Sequence, residues 1–266
     1  MVTVGEAAFL GILQGLTEFL PISSSGHLAV AQSFLEGFEQ PGILFDVMLH
    51  LGTLLSILVY FRRDLIKLIH ALRNPGLRLE RRLLLFIVLG SIPTGIIGYA
   101  FRDLVEESFR SIPVVSAFLM TTGAILIISD RLGRGERPLE GMGPVDALFI
   151  GVGQGLAVLP GLSRSGTTIA SGLIRGLDRE LSARFSFLLA IPAIAGAGLV
   201  EVREVGGPAP GELGPYIIGT ALAAVVGLIS IKWVLLSVKK RRFGYFGIYC
   251  LIIGAVLMVR GLEGTL

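Results

Sequence analysis

Apolar residues are grouped along this chain into long continuous runs, separated by short stretches of charge, proline and glycine. A helix that crosses a bilayer needs about 20 mostly apolar residues. Six runs meet that requirement, at residues 45–61, 83–101, 113–129, 184–200, 215–236 and 243–260. The pattern therefore predicts an all-α polytopic membrane protein with six transmembrane helices.

Two further apolar runs, residues 7–28 and 145–173, are interrupted near their middles. The first contains Pro-Ile-Ser-Ser-Ser-Gly from Pro21, and the second contains Pro-Gly-Leu-Ser-Arg-Ser-Gly from Pro160. Irregular backbone at membrane depth is tolerated only where it is buried in protein or lines a wet cavity. We therefore interpret both runs as re-entrant helical hairpins whose breaks line a site.

Composition supports a membrane protein and excludes most other classes. The chain has 266 residues, of which 53% are hydrophobic and 16% charged, and its mean hydropathy is +0.78. This is too apolar for a soluble domain, so membrane lipids are expected partners and nucleic acid is not. The first basic residue is Arg62, which argues against a secretory signal peptide. The single cysteine, Cys250, excludes an intrachain disulfide.

The distribution of basic residues predicts the orientation in the cell (inner or plasma) membrane. If both interrupted runs re-enter, 19 of the 23 Lys and Arg fall on one side, mainly in segments 62–82, 130–183 and 237–242. The other side keeps four, which are Arg102, Arg110, Arg203 and Arg260. Basic loops stay in the cytoplasm. Both termini and the mouth of the site are therefore predicted on the outer face.

The two interrupted runs are related by an internal repeat. An offset of 140 residues aligns Gln14-Gly15-Leu16 with Gln154-Gly155-Leu156, and Ser23-Ser24-Ser25-Gly26 with Ser163-Arg164-Ser165-Gly166. Each half, about 1–132 and 141–266, then contains one hairpin and three spans. Because three is odd, the halves would be inverted within one membrane domain, 1–266.

The breaks are predicted anion sites. A restarting helix offers free backbone N–H groups and the positive end of its dipole, which suit phosphate or carboxylate. Serine hydroxyls add donors, and glycine permits a close approach. The candidate binding residues are Ser23, Ser25, Gly26, Ser163, Ser165, Gly166 and Thr168. The alternative is that the serines only cap helices and the glycines only allow helix packing.

Ionisable residues inside membrane segments indicate where chemistry could occur. Gln14 and Glu18 are four residues apart, so on a helix they can reach one cation together. Arg164 could hold a phosphate bidentately, and His27 could transfer a proton or accept a phosphoryl group. A structural Glu18–Arg164 ion pair and a capping histidine are the alternatives. We expect His50 to be structural or interfacial.

The segments GILQGLTEFLPISSSGHL and PGLSRSGTT resemble the two signature segments of the undecaprenyl-diphosphate phosphatases, the bacitracin-resistance family. Together with FDVMLHLGT, the resemblance covers the whole chain. It implies hydrolysis of a C55 isoprenyl diphosphate to the monophosphate carrier lipid of cell-wall polymer synthesis. It also implies dependence on a divalent cation, an external active site, and roles for the residues Gln14, Glu18, Ser24, His27, Ser163, Arg164 and Thr168. Gln14 departs from the Glu of many members, and Ser25 from a common Thr.

The residues leave the attacking group and the function class open at this stage. Ser24, His27 or a water molecule could attack phosphorus, with Glu18 and Gln14 holding Mg²⁺ or Ca²⁺. An inverted repeat with broken helices is also typical of a transporter or flippase for an anionic prenyl-phosphate lipid. The unequal residues of the two breaks favour an enzyme. The oligomeric state is undecided, and a homo-oligomer stays open.

Overall fold

The computed structural model describes residues 2–35, 43–109, 111–133, 135–205 and 211–262, and these residues contain helices but no strand. The basic residues Arg110 and Arg134 lie outside the described residues. The α-helices are α1 (Val4–Thr17), α2 (Ser24–Ser33), α3 (Ile43–Tyr60), α4 (Arg62–Arg73), α5 (Arg78–Ala100), α6 (Arg102–Phe109), α7 (Ile112–Leu132), α8 (Pro144–Leu156), α9 (Arg164–Ile174), α10 (Arg179–Val205), α11 (Leu213–Lys239) and α12 (Phe243–Leu262). One 3-10 helix, Leu139–Gly141, precedes α8.

The prediction of an all-α polytopic membrane protein is confirmed. Five helices, α5, α7, α10, α11 and α12, are long and apolar enough to cross a membrane. A sixth span is obtained if the bent pair of α3 and α4 counts as one, because together they pass the same test. Each of the six apolar runs thus forms a helix, and the 18 residues of α3 are by themselves within the range of about 17–25 that a span needs.

Segment 62–82 is not the simple loop that the charge pattern suggested. Residues 62–73 form α4, and α5 begins at Arg78 rather than near residue 83. Helix α4 makes an angle of 74° with α3. Its residues Leu68 and Ala71 are buried, whereas Ile66 and Ile69 are exposed on another face. Charged residues alternate with these apolar ones, so the segment does not stand out as an apolar run in the sequence.

Both interrupted runs are helices that stop and restart at the predicted places. Helix α1 ends at Thr17 and α2 begins at Ser24, while α8 ends at Leu156 and α9 begins at Arg164. Within each pair the two helices pack against each other, α1 with α2 and α8 with α9. This packing gives two helical hairpins, and their return to the starting side of the membrane stays a prediction.

Contacts between the two halves are reciprocal. Helix α1 packs on α11 and α8 packs on α5, so each hairpin contacts the second span of the other half. The contacts occur at equivalent glycines: a Cβ on Gly11 would collide with the carbonyl of Gly219, and a Cβ on Gly151 with the carbonyl of Gly90. Gly11 and Gly151 are 140 residues apart. This is the arrangement that a repeat predicts, and the inverted orientation stays a prediction.

Candidate active site

Glu18 is the centre of a buried polar cluster that joins the two breaks. It follows the last residue of α1, and its side chain is 5% exposed. Arg164 Nη2 donates to its Oε1 at 2.7 Å, which links α9 of the second half to the first half. Ser24 Oγ donates to Oε2 at 2.6 Å, and Gln14 Nε2 donates to the same oxygen at 3.1 Å. Residues 146 positions apart in the chain therefore share one carboxylate.

The Glu18–Arg164 pair is expensive to bury, so its presence needs a reason. Removing two charges from water can cost more free energy than their attraction returns. The pair is not saturated: Arg164 Nη1 and Gln14 Oε1 are buried and have no hydrogen-bond partner among the described residues. One free cationic donor and one free acceptor thus lie beside the carboxylate, an arrangement that an anion and a cation could complete.

His50, which the sequence predicts to be structural or interfacial, lies beside this cluster, and its role stays a prediction. Its Nε2 lies 3.7 Å from Glu18 Oε2, and its Nδ1 lies 2.8 Å from the carbonyl oxygen of Asp46. A carbonyl only accepts, so Nδ1 carries a hydrogen. Nε2 is thus the ring nitrogen that faces the carboxylate. The sequence signal was the position of His50 inside an apolar span.

His27 is held by hydrogen bonds at both ring nitrogens. Its Nδ1 donates to the carbonyl oxygen of Ser23 at 2.8 Å, so Nε2 can accept from the hydroxyl of Tyr249, also at 2.8 Å. The two rings stack with centroids 5.7 Å apart and an angle of 14° between their planes. Sequence reasoning missed Tyr249, which comes from α12 and lies one turn beyond Tyr245, a residue typical of a membrane interface.

The serines before each helix start act first as caps, in the same way in both breaks. Ser23 Oγ accepts from Gly26 N–H at 3.4 Å, and Ser163 Oγ accepts from Gly166 N–H at 3.1 Å. The hydroxyl oxygens of Ser23 and Ser25 lie 3.3 Å apart, and those of Ser163 and Ser165 are separated by the same distance. Both serines therefore cap their helices, and a further role of these residues in binding stays a prediction.

Two predicted binding residues in the second break face other parts of the protein. Ser165 Oγ donates to the carbonyl of Leu20 at 3.3 Å, which ties α9 to the first break. Thr168 Oγ1 donates to the carbonyl of Arg164 at 2.8 Å and lies 2.5 Å from Ser186 Oγ. Both side chains are fully buried. Their hydroxyls make hydrogen bonds within the protein. The side chains of Ser24 and Ser25, in contrast, are half-buried.

The residues present fit a divalent cation of the kind that prefers oxygen ligands. The Glu18 carboxylate and the unpartnered Gln14 Oε1 are two such oxygens one helical turn apart. Within the described ranges there is no group of three or more His, Cys, Asp or Glu side chains that could hold a metal by themselves. Mg²⁺ is commonly bound by one or two carboxylates together with water and substrate phosphates, so this sparse set is compatible with it.

The fold and this cluster define a multi-pass membrane protein with a charged site built where two broken helices restart. The chain belongs to the family described as Bacitracin resistance protein BacA, whose family model matches residues 7–256. It is 45% identical to an undecaprenyl-diphosphatase of Syntrophotalea carbinolica, over 94% of this chain and 96% of that protein. It is 41% identical to an undecaprenyl-diphosphatase of Methanobrevibacter smithii, over 96% of each.

Proposed function

We propose that this protein hydrolyses undecaprenyl diphosphate to undecaprenyl phosphate and inorganic phosphate, and so recycles the carrier lipid of cell-wall polymer synthesis. The observation that carries the proposal is the contact of Ser24 and Arg164 with one buried carboxylate, that of Glu18. Relatives that cover nearly the whole chain bear the name undecaprenyl-diphosphatase. The transporter alternative is not favoured, since these names describe an enzyme.

Substrate binding begins with neutralisation of the diphosphate. The unpartnered Nη1 of Arg164 donates to a phosphate oxygen, and the first backbone N–H groups of α2 and α9 supply further donors. Both helix starts direct the positive ends of their dipoles towards the same region, because Ser24 and Arg164 bond to the same side chain. The prenyl chain lies outside this polar cluster, among the apolar helices and membrane lipids.

Ser24 is the attacking group that the geometry favours. Its Oγ passes its proton to Glu18 Oε2, 2.6 Å away, as Oγ bonds to the terminal phosphorus and the bond from that phosphorus to the bridging oxygen breaks. Undecaprenyl phosphate leaves, and water then hydrolyses the phosphoserine and releases phosphate. His27 is less suited to attack, because the Tyr249 hydroxyl and the Ser23 carbonyl engage both its nitrogens.

A divalent cation, Mg²⁺ or Ca²⁺, is part of this proposal. Glu18 and Gln14 would hold it, and a bound cation would supply charge neutralisation for the phosphate oxygens. Binding a cation at Gln14 Oε1 would leave the amide nitrogen free to keep its hydrogen bond to Glu18. Chelation of divalent cations should therefore lower phosphate release, and added Mg²⁺ should restore it.

The orientation in the cell membrane is also a proposal. The positive-inside distribution places both termini and the mouth of the site outside, and the long basic segments in the cytoplasm. Single cysteines at position 38, which lies outside the described residues, and at position 77 test this in a Cys250→Ala background. We expect an impermeant thiol reagent to label position 38 alone in intact cells, and labelling of position 77 alone would invert the topology. A homo-oligomer is not required by the site.

The function is tested by phosphate release and the attacking group by trapping. Purified protein should release phosphate from undecaprenyl diphosphate, and Glu18→Ala and Arg164→Ala should abolish most of that rate. If both variants kept the full rate, the enzyme proposal would fail.

A rapid acid quench of enzyme with diphosphate labelled in its terminal phosphate should place the label on Ser24, as located by mass spectrometry. Label on His27 would move the attack there, and unlabelled protein would favour direct attack by water.

A further inference from the structure

A cavity lined by charged and apolar residues lies away from the active site, between the end of α3, the start of α10 and the last turns of α11. Its volume is about 560 Å³, and it combines basic side chains with apolar walls. Tyr60 and Leu235 are among the apolar residues, and Arg184, Lys232 and Lys239 are the basic ones. None of these residues belongs to the Glu18 cluster. Tyr60 follows His50 by ten residues on α3, which is about 15 Å along the helix.

The cavity is lined by one face of α11. Lys232, Leu235, Leu236 and Lys239 all line it, and their spacing of three, four and seven residues is that of a single helical stripe. Two lysines thus flank two leucines on the same face. Lys232 lies two turns before the end of a helix that is apolar enough to cross a membrane, and a lysine near a helix end can extend its charged group to the interface.

Acidic neighbours do not neutralise these cations fully. Arg184 Nη2 donates to Asp64 Oδ1 at 2.5 Å, which accounts for the charge of Arg184. Lys239 Nζ is 3.9 Å from Glu180 Oε2, but both side chains are more than 70% exposed, so this pair contributes little. Lys232 makes no ion pair to any residue within the described ranges. The cavity therefore keeps a positive charge beside an apolar wall.

Helix α4 places this cavity at the level of lipid headgroups. It is bent by 74° from α3, and it carries exposed apolar residues at a spacing of three, Ile66, Ile69 and Leu72, on a helix with five basic residues including His70. An amphipathic helix of this kind lies in the membrane interface with its apolar face towards the acyl chains. Asp64 of α4 lines the cavity, so the cavity opens beside this interfacial helix.

We propose that this cavity binds the phosphate headgroup of an anionic phospholipid, with Lys232 and Lys239 as the charged contacts. Basic pockets between membrane helices on the cytoplasmic side are suited to such headgroups. Leu235, Leu236 and Tyr60 offer an apolar surface to the acyl chains. In the orientation proposed above, this lipid belongs to the cytoplasmic leaflet, and the site is separate from the outward-facing active site.

The test is retention of phosphatidylglycerol by the full chain, measured by native mass spectrometry from mixed phosphatidylglycerol and phosphatidylcholine micelles. Lys232→Gln/Lys239→Gln should weaken phosphatidylglycerol binding about tenfold or more, since each lysine near the surface contributes about 1 kcal/mol. Lys240→Gln/Arg242→Gln is the matched control, because it removes the same charge from the same end of α11 without touching the cavity. Binding in the control should weaken much less than in the Lys232/Lys239 variant, because Lys240 and Arg242 do not line the cavity.

Four results would overturn the proposal. Full retention of phosphatidylglycerol by the Lys232/Lys239 variant would show that the cavity is not the site, and equal loss in both double variants would show only general charge attraction. Displacement of the lipid by millimolar inorganic phosphate would assign the site to free phosphate. If the lysine variant fails to fold, Leu235→Trp places a bulkier ring in the apolar wall of the cavity and keeps its charges. It should weaken phosphatidylglycerol binding as well, and unchanged binding by Leu235→Trp would also contradict the proposal.

Discussion

The two breaks share a scaffold but differ in their reactive groups. In each, a serine caps the restarting helix through the N–H of a glycine three residues on. Yet Glu18, Ser24 and His27 of the first break correspond at the 140-residue offset to Val158, Arg164 and Thr167 of the second. The first break supplies the anionic and nucleophilic groups, and the second supplies the cation. The two breaks thus contribute complementary groups to one cluster.

The backbone differs between the breaks as well. Ser23 has φ 69° and ψ 96°, a conformation that non-glycine residues rarely adopt, whereas Ser163 has φ −74°. In the second break the positive φ occurs at Gly161, where glycine tolerates it. A strained residue persists where the surrounding structure determines it, and such residues cluster at functional sites. Here the strain is located immediately before Ser24, the residue proposed to attack.

The largest effect on kcat is expected from replacing Ser24, the residue of the first break that is proposed to attack phosphorus. Ser24→Ala should lower kcat by about 10³-fold or more, because no hydroxyl remains beside Glu18 to form the covalent bond. Ser25→Ala, the matched control one residue later, should lower it by less than about tenfold, since its hydroxyl contacts Ser23. Steady-state phosphate release at saturating diphosphate measures both. Equal losses would remove the distinction between the two serines.

Arg164 should give the next largest effect. Arg164→Lys keeps the charge but loses the planar pair of donors, so we expect kcat/KM for the diphosphate to fall about 10-fold to 100-fold. Arg164→Ala loses the charge as well, and there kcat/KM should fall about 10²-fold to 10³-fold. Arg175→Lys is the control, since Arg175 is an arginine near the end of α9 that pairs with Asp146 instead of Glu18. A lysine variant with wild-type kcat/KM would show that only charge matters at this position.

Replacing each of the two capping serines, Ser23 and Ser163, by glycine should change the free energy of unfolding in opposite directions. Ser23→Gly relieves a strained φ worth about 1–3 kcal/mol, while loss of the cap to glycine costs only a few tenths, so the free energy of unfolding should rise by about 1 kcal/mol. Ser163→Gly relieves nothing and should lower it. Thermal unfolding in one detergent compares the two variants. The contrast would be lost if both variants were destabilised to the same extent.

The smallest effect is expected from Tyr249. Tyr249→Phe removes the hydroxyl that lies 2.8 Å from His27 Nε2 but keeps the stacked ring. A neutral hydrogen bond contributes about 1 kcal/mol, so kcat should change by less than about tenfold. Tyr245→Phe, one turn earlier on α12, is the control and should leave kcat unchanged.

The sequence alone was sufficient for features that depend on local pattern. Long apolar runs predicted the spans, serine and glycine predicted the breaks, and the spacing of Gln14 and Glu18 predicted their contact. Features that depend on the packing of distant helices were not accessible in this way. His50 reaches Glu18 only because α3 packs against α1, and Tyr249 reaches His27 from the far end of the chain. Helix α4 was not predicted, because its charged residues lower the mean hydropathy of the segment.

The central claim is that Glu18 and Arg164, one from each break, form a single functional unit. A double-mutant cycle of Glu18→Gln and Arg164→Gln, read by phosphate release and by thermal unfolding, tests it most directly. We expect each single variant to lose about 3–5 kcal/mol of stability, because it leaves one buried charge unpaired, and the double variant to regain much of that stability while staying inactive. Additive losses of stability, or an active double variant, would contradict the claim.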